Sequence, residues 1–248
     1  MRFRLLLSGL ILPALTGCVT VGGEPPTLNE KASAINVQLG MGYMQQNNYE
    51  QANQKLLKAL RQNPDSASAH NAYAMLQDRL LEKEVAGKHY KRATELDPKD
   101  SLAANNYGIF LCLNGREAES EQYFLNALKD PLYRTPEYAY TNAARCLLRI
   151  NKVEQAKQYL KKALAAKSNF GNALIEMADI EFNEGNHDST KVYIDRFHLV
   201  SQPTARSLWL EIRNRLETGE TNNIGELGRQ LESKFPDSNE LKAWLELQ

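Results

Sequence analysis

Small side chains and prolines recur at a fixed interval of 34 residues along this chain. Ala59, Ala93 and Ala127 are spaced by that interval, and so are Pro64 and Pro98. A constant interval of this length indicates one supersecondary unit used several times, because each unit leaves an apolar face that only its neighbour can cover. The chain is therefore expected to fold as a linear stack of units.

Two positions of the unit are nearly always small when the first unit starts at Ser33. The eighth position holds Gly40, Ala74, Gly108, Ala144 and Ala178, and the twentieth holds Ala52, Ala86, Ser120, Ala156 and Thr190. Small side chains at such intervals allow two helices to approach closely. The unit is thus predicted to be a helical hairpin, and a hairpin of 34 residues is typical of the tetratricopeptide repeat (TPR).

The fifteenth position, between the two helices, favours residues that tolerate a left-handed backbone. It holds Asn47, Gly115, Asn151, Gly185 and Gly219, with Leu81 as the exception. Prolines at 64, 98 and 236 then end the second helix of their repeats, because proline cannot continue a helix. Turn chemistry and helix packing therefore predict the same hairpin.

We predict an all-α fold, a right-handed superhelical solenoid of six TPR hairpins with a C-terminal capping helix. The hairpins are expected at residues 33–66, 67–100, 101–136, 137–170, 171–204 and 205–238, and the capping helix at 239–248 with Trp244 in the core. The interval lengthens to 36 residues between Ala127 and Ala163, which predicts an insertion in the loop from Asp130 to Pro136.

The first 17 residues have a different composition. Arg2 and Arg4 precede a short apolar stretch that ends at Leu15, which is typical of a secretory signal peptide and too short for a membrane span. The sequence Leu-Thr-Gly-Cys ends at Cys18 and resembles a bacterial lipobox, in which the cysteine is acylated and becomes the first residue. The alternative is an ordinary signal peptide with a chance cysteine.

Acylation of Cys18 would attach the chain to a membrane through several buried acyl chains. Residues 18–32 contain glycines and prolines without a helical apolar pattern, and we expect them to form a flexible tether. Val19 follows the cysteine where aspartate would signal retention, and by resemblance to the sorting rule of enteric bacteria this favours the outer membrane, with the repeats facing the periplasm.

Charge and motifs exclude several classes of function. Loss of Arg2 and Arg4 leaves 28 basic against 30 acidic residues, without a long basic run, so no nucleic-acid partner is expected. The four histidines and the cysteines match no metal-binding spacing. The sequence contains no phosphate-binding glycine loop, nucleophile elbow or paired-carboxylate signature. We therefore expect no catalytic residue, cofactor, metal or small-molecule substrate.

Two further cysteines, Cys112 and Cys146, fall on adjacent first helices. The axes of such helices lie roughly 8 to 10 Å apart, whereas a disulfide needs Cα atoms within about 7 Å. We expect two free thiols packed as small apolar side chains, although an oxidising compartment leaves a disulfide open.

Five positions of the first helix are expected to face a concave groove. In repeats one to three they give a largely apolar set: Val37, Met41, Met44, Asn71, Met75, Asn105, Ile109 and Leu113. In repeats four to six they give a cationic and aromatic set that forms a second candidate surface: Arg145, Arg149, Trp209 and Arg213, with Arg206 and Phe182 beside them. Methionine-rich grooves accept peptide helices or strands. The alternative is that these side chains only pack between neighbouring helices.

Several short stretches resemble one family of TPR proteins. They are NNYGIFLC at 105–112, DPLY at 130–133, ARC at 144–146, EMAD at 176–179 and ARSLWL at 205–210. Together with the lipobox, these stretches are similar to the type IV pilus biogenesis lipoproteins called PilF or PilW. The resemblance implies a pilotin, a lipoprotein that helps secretin subunits reach the outer membrane and assemble there.

Three other functions stay open at the level of sequence. Some members of this family are described as stabilisers of the pilus fibre itself. A TPR lipoprotein can also serve as a scaffold for peptidoglycan enzymes or for outer-membrane protein assembly. A hydrolase would need an acid-base pair that the repeat positions do not supply.

Overall fold

The computed structural model describes residues 25–247 and contains thirteen helices and no strand within them. The helices are α1 (Leu28–Gln45), α2 (Tyr49–Gln62), α3 (Ala67–Arg79), α4 (Lys83–Leu96), α5 (Ser101–Leu113), α6 (Glu117–Ala127), α7 (Pro136–Arg149), α8 (Val153–Ala166), α9 (Gly171–Asn183), α10 (His187–Val200), α11 (Ala205–Thr218), α12 (Ile224–Lys234) and α13 (Asn239–Leu245). The predicted signal peptide, Cys18 and residues 18–24 of the predicted tether lie outside the described residues.

Consecutive helices pack in pairs, from α1 with α2 to α11 with α12, and α13 packs against the last pair. Each pair also contacts the next, which gives the predicted all-α stack of TPR hairpins. The predicted insertion is present in the connection between α6 and α7, which runs from residue 128 to 135. Among residues 25–247, no helix combines the length and the apolarity that crossing a bilayer requires.

Helix α1 begins earlier than the sequence pattern predicted. The Thr27 hydroxyl accepts a hydrogen bond from the Glu30 backbone N–H, and the Glu30 carboxylate accepts one from the Thr27 N–H at 2.6 Å. This reciprocal capping box fixes the start of the helix at Leu28. Residues 28–32, which we expected to belong to the tether, are therefore helical, because the Thr-x-x-Glu signal outweighs the preceding prolines.

The eighth position of the hairpin is small because the second helix lies directly over it. A Cβ atom on Gly40 would lie 2.6 Å from the Leu56 side chain, and one on Gly108 would lie 2.8 Å from the Phe124 ring. Contacts that short would force the helices apart. The alanines of the same position, such as Ala74, are fully buried for the same reason.

The turn inside each hairpin adopts the expected left-handed backbone. The φ angle is 57° at Asn47 and Asn151, 77° at Gly115 and Gly185, and 75° at Gly219. Leu81, the sequence exception, has a φ of 65° and keeps the same turn. Its side chain is exposed, so no burial compensates the steric cost of this conformation.

We expect Leu81→Gly to raise the free energy of unfolding by about 1 kcal/mol, because the left-handed region costs a residue with a Cβ roughly 1–2 kcal/mol and glycine almost nothing. The reverse change at the equivalent turn, Gly115→Leu, should lower stability by a similar amount, since its Cβ meets open space and only the backbone is strained. Urea unfolding followed by circular dichroism measures both. A loss of stability in Leu81→Gly would contradict this account.

The C-terminal end is closed by α13. Its N-cap is Ser238, and Leu241 and Trp244 are buried against α11 and α12. The indole lies over Gly228, where a Cβ would be 2.3 Å from the ring nitrogen. The prediction that Trp244 belongs to the core is confirmed.

Two histidines meet between α3 and α4. The Nδ1 atoms of His70 and His89 are 2.9 Å apart, and His70 Nε2 lies 3.0 Å from the Pro64 carbonyl oxygen. Because a carbonyl only accepts, Nε2 carries the proton of neutral His70, and His89 Nδ1–H donates to His70 Nδ1. Burial, and secondarily the charge of His70, lowers the pKa of His89 to about 4.

This pair predicts a pH-dependent stability. The folded pKa of His89 is below the unfolded value, so the unfolded chain binds a proton that the native chain does not as pH falls from about 6.5 to 4. The contribution of neutral His89 to the free energy of unfolding should therefore be fully present above pH 6.5. It should decrease by about 1–2 kcal/mol as the pH falls across that window, after allowance for partial exposure. Between pH 7 and 4.5, the free energy of unfolding of His89→Gln should therefore decrease less than that of the wild-type chain, because the variant lacks this contribution. Equal losses would show that His89 does not titrate in this way.

Candidate functional site

The first helices of the hairpins form the inner layer of the stack. Within the described part of the chain, α1, α3, α5, α7, α9 and α11 each pack closely against the next member of that series, whereas neighbouring second helices have no Cα atoms within 8 Å of one another. In a curved double layer, the more closely spaced elements lie on the inside of the curve. The concave face is therefore built from the first helices, where a partner would lie.

A pocket of about 400 Å³ opens on this face at repeats three to five. Its wall is mainly apolar and aromatic, with amides and one guanidinium: Leu102, Asn105, Ile109, Tyr133, Thr135, Tyr138, Thr141, Asn142, Arg145, Phe170 and Asn172. The Tyr138 and Phe170 rings meet edge to face with centroids 4.7 Å apart. Apolar walls with a few directed polar groups are the usual features of a binding site.

The methionines of the first repeats contribute less than predicted. Met44 is only 2% exposed and packs in the core with Leu56 and Leu76, so its assignment to the groove is wrong. Val37, Met41 and Met75 are half-buried and pack against the same cluster. Met44 is buried because the twelfth position of the hairpin points at the next first helix. Only part of each of these side chains reaches the surface.

The other predicted groove residues lie around the pocket. Asn105 and Ile109 line it, and Leu113 is exposed at the end of α5. Asn71 lies one repeat earlier on α3. The structure thus places a pocket of the concave face at repeats three to five, and the methionines of α1 and α3 do not line it.

Asparagines pair across the boundaries between repeats. Asn106 Nδ2 donates to Asn71 Oδ1 at 3.2 Å, and Asn142 Nδ2 donates to Asn105 Oδ1 at 3.1 Å. Each such pair uses one amide donor and one amide oxygen. The Asn105 NH₂ group and the Asn142 oxygen consequently retain the capacity to bond the backbone of a bound segment.

Two arginines of the second candidate surface converge on one buried carboxylate. Arg145 Nε lies 2.8 Å from Glu176 Oε1, and Arg206 binds both oxygens of Glu176 and also Asp179. Burial by itself would raise the pKa of Glu176, but the hydrogen bonds and charges of Arg206 and Arg145 lower it. Burial raises the pKa of Asp179 despite Arg206.

The remaining residues of that surface do not bind Glu176. The Arg213 guanidinium lies 4.2 Å from the centroid of the Phe182 ring, and Arg149 pairs with Glu117 at 3.3 Å. Trp209 is half-buried against the C-terminal cluster around Leu208. The structure brings Arg145 to the pocket and leaves Arg149, Trp209 and Arg213 as parts of other contacts.

Cys112 and Cys146 form a disulfide between α5 and α7, and the expectation of free thiols is wrong. Their Cα atoms are 5.7 Å apart and the sulfurs 2.01 Å. The expectation compared the separation of helix axes with a limit that applies to Cα atoms. Each Cα lies about 2.3 Å from its axis, so residues that face one another are several ångströms closer than the axes.

Several residues of the pocket were not predicted. Leu102, Tyr138 and Asn172 occupy the second position of their repeats, which the repeat pattern assigns to the concave face, so that signal was present. Tyr133 and Thr135 come from the inserted loop, and Phe170 ends the loop before α9. No group of three or more histidine, cysteine or acidic residues within 25–247 is arranged to hold a metal ion.

Comparisons with known proteins agree with this architecture. Tetratricopeptide repeat models match residues 37–99, 89–122 and 137–170. The chain is 35% identical over 244 residues to the type IV pilus assembly protein PilF of Pseudomonas aeruginosa, and the match covers 97% of each chain. It is 30% identical over 158 residues to an uncharacterised protein of Haemophilus influenzae, which covers 63% of this chain and 87% of that protein.

Two solved structures have the same fold over nearly all of their length. The structure of Pseudomonas aeruginosa PilF has a TM-score of 0.80 and 33% identity, and covers 89% of this chain and 99% of its own. The structure of PilW, a widely conserved type IV pilus biogenesis factor, has a TM-score of 0.78 and 32% identity, and covers 86% and 98%. The chain therefore belongs to the PilF/PilW family of tetratricopeptide-repeat proteins of type IV pilus biogenesis.

Proposed function

We propose that this protein is an outer-membrane pilotin that binds secretin subunits on its concave face and promotes their localisation and multimerisation for type IV pilus biogenesis. The observation that carries the proposal is the likeness to a type IV pilus assembly protein over 97% of both chains. A continuous inner layer of first helices, with a pocket on it, supports a role in holding another polypeptide.

The membrane attachment is proposed from the sequence alone. Leu-Thr-Gly-Cys at 15–18 supports acylation of Cys18, and Val19 supports transfer to the outer membrane, with the repeats in the periplasm. A lipid anchor and a binding groove on one chain would raise the local concentration of secretin at its target membrane. The proposed role needs no cofactor, metal or chemical step.

Within the groove, we assign secretin binding to the pocket at repeats three to five. Leu102, Ile109, Tyr138 and Phe170 would cover apolar side chains of the bound segment. The free amide groups of the Asn105–Asn142 pair would bond its backbone. This division of apolar and backbone contacts suits an extended segment of secretin.

Deletion of the gene tests the proposal. Secretin multimers should disappear from outer-membrane fractions, and a plasmid copy of the wild-type gene should restore them. Multimers that persist while pili are lost would overturn the pilotin role and favour stabilisation of the fibre. Altered porin or cell-wall profiles before any pilus defect would instead favour a general scaffold.

A further inference from the structure

The first repeat exposes a surface that is largely buried in the later repeats. The third position of repeats two to six holds Ala69, Ala103, Ala139, Ala173 and Ser207, all 0% exposed. The seventh position holds Tyr107, Ala143 and Met177, at most 3% exposed, and half-buried Tyr73 and Glu211. In the first repeat the same two positions hold the apolar side chains of Ile35 and Leu39, which are 56% and 45% exposed.

These side chains belong to one stripe on α1. Leu28, Ala32, Ile35 and Leu39 follow the helical period, and we call them the end stripe. Val37, Met41 and Met44 pack toward α3, and the period places them on the opposite side of the helix. The end stripe therefore points away from the stack, at the place that a preceding repeat would occupy. Leu28, at the start of the helix, is 85% exposed.

We propose that the end stripe lies against the surface of the lipid bilayer. The proposal rests on the acylation of Cys18 in the proposed function. Only nine residues separate Cys18 from Leu28, and at roughly 3.5 Å per residue they reach at most about 35 Å. Because the Thr27–Glu30 capping box makes residues 28–32 helical, the tether is shorter than the sequence pattern predicted. The anchored end of the chain and the end stripe are thus held near the same membrane.

The charges around the end stripe fit this occupant. The stripe itself contains no acidic residue, Lys31 flanks it, and Glu30 turns to the other side to cap the helix. An apolar helix face can lie in the bilayer interface, and without an acidic side chain on the stripe no charge repulsion opposes contact with anionic lipids. The end stripe has no charged side chains that could form ion pairs with the same surface of a second copy of the chain.

Contact through the end stripe would orient the groove. The stack would then extend away from the bilayer, beginning with α1. Three steps between first helices, each roughly 8–10 Å, separate α1 from α7. The pocket at repeats three to five would lie roughly 24–30 Å from the membrane surface. A secretin segment bound there would be held at a fixed height.

Tryptophan fluorescence tests this contact in the full-length protein after export and processing by the cell. Ile35→Trp is compared with Leu199→Trp, a control at an exposed position of α10, in vesicles of phosphatidylethanolamine and phosphatidylglycerol with brominated acyl chains. Bromine quenches only indoles that reach the acyl region. The native Trp209 and Trp244 contribute equally to both variants. We expect the emission added by Ile35→Trp to fall at least twofold and that of Leu199→Trp to stay unchanged.

Three outcomes would overturn the inference, and they differ in meaning. Equal, weak quenching of both variants in protein that floats with the vesicles would leave the lipid anchor standing and remove the end stripe from the membrane. A blue shift of Ile35→Trp that grows with protein concentration, without quenching, would show that a second copy covers the stripe. Protein that does not float with the vesicles would refute the Cys18 anchor and this contact together.

Discussion

Replacing both Cys112 and Cys146 with alanine is expected to lower the free energy of unfolding by about 3–4 kcal/mol. The disulfide joins positions 34 residues apart. In the unfolded chain it closes a loop of that size, and the conformational entropy that this removes from the unfolded state stabilises the fold by roughly 3–4 kcal/mol. Alanine fits the space of the half-cystines, so the packing contribution to the loss should be small. Urea unfolding followed by circular dichroism measures the change.

The position of the disulfide in the stack should also affect how cooperatively the chain unfolds. It links repeats three and four, the junction that carries the inserted loop, beside Phe124 and Ala143. In a stack whose units contact only their neighbours, a weakened junction allows the two halves to unfold separately. The double-alanine variant should therefore unfold over a broader urea range. Dithiothreitol serves as the control, since it should shift the wild-type midpoint and leave the variant unchanged. A wild-type midpoint insensitive to the reductant would contradict the assignment.

The fold is predictable from the sequence because its constraints are local and repeated. Gly40 and Gly108 are small because Leu56 and Phe124 lie over them, and the same requirement recurs in each hairpin. The turns need a left-handed residue, and asparagine or glycine supplies it in all but one repeat. Leu81 shows the limit of this inference, since the surrounding hairpin imposes the conformation without a favourable residue.

The candidate site is less predictable because it depends on contacts that the repeat pattern does not contain. The repeat position of Met44 predicts a place in the groove, but the next first helix covers this side chain. Tyr133 reaches the pocket from the inserted loop, whose path no periodicity determines. The disulfide does not follow from the spacing of the helix axes, because facing Cα atoms lie several ångströms closer together than the axes do. Side-chain environment at junctions therefore requires the three-dimensional structure.

Changing Leu102 and Tyr138 together to aspartate is expected to weaken binding of secretin subunits at least about 100-fold. Both side chains line the pocket and are 59% and 44% exposed, so they are available to a partner. Loss of two apolar anchors at the centre of an interface costs roughly 2 kcal/mol each, and two aspartates would also have to be desolvated. Titration of the variant with the purified periplasmic region of secretin measures the affinity.

The fold should survive these two changes because of where they lie. Leu102 and Tyr138 are in the first turns of α5 and α7, where an acidic side chain interacts favourably with the helix dipole. The matched control changes Val192 and Leu199 to aspartate on α10, where both are exposed at 55% and 84%. That control places its charges later in a helix, so it should cost at least as much stability while leaving secretin affinity intact. Equal loss of affinity in both double variants would mean that charge alone is responsible. Unchanged affinity in Leu102→Asp with Tyr138→Asp would move the binding site away from this pocket, since no partner that fills it could tolerate both charges.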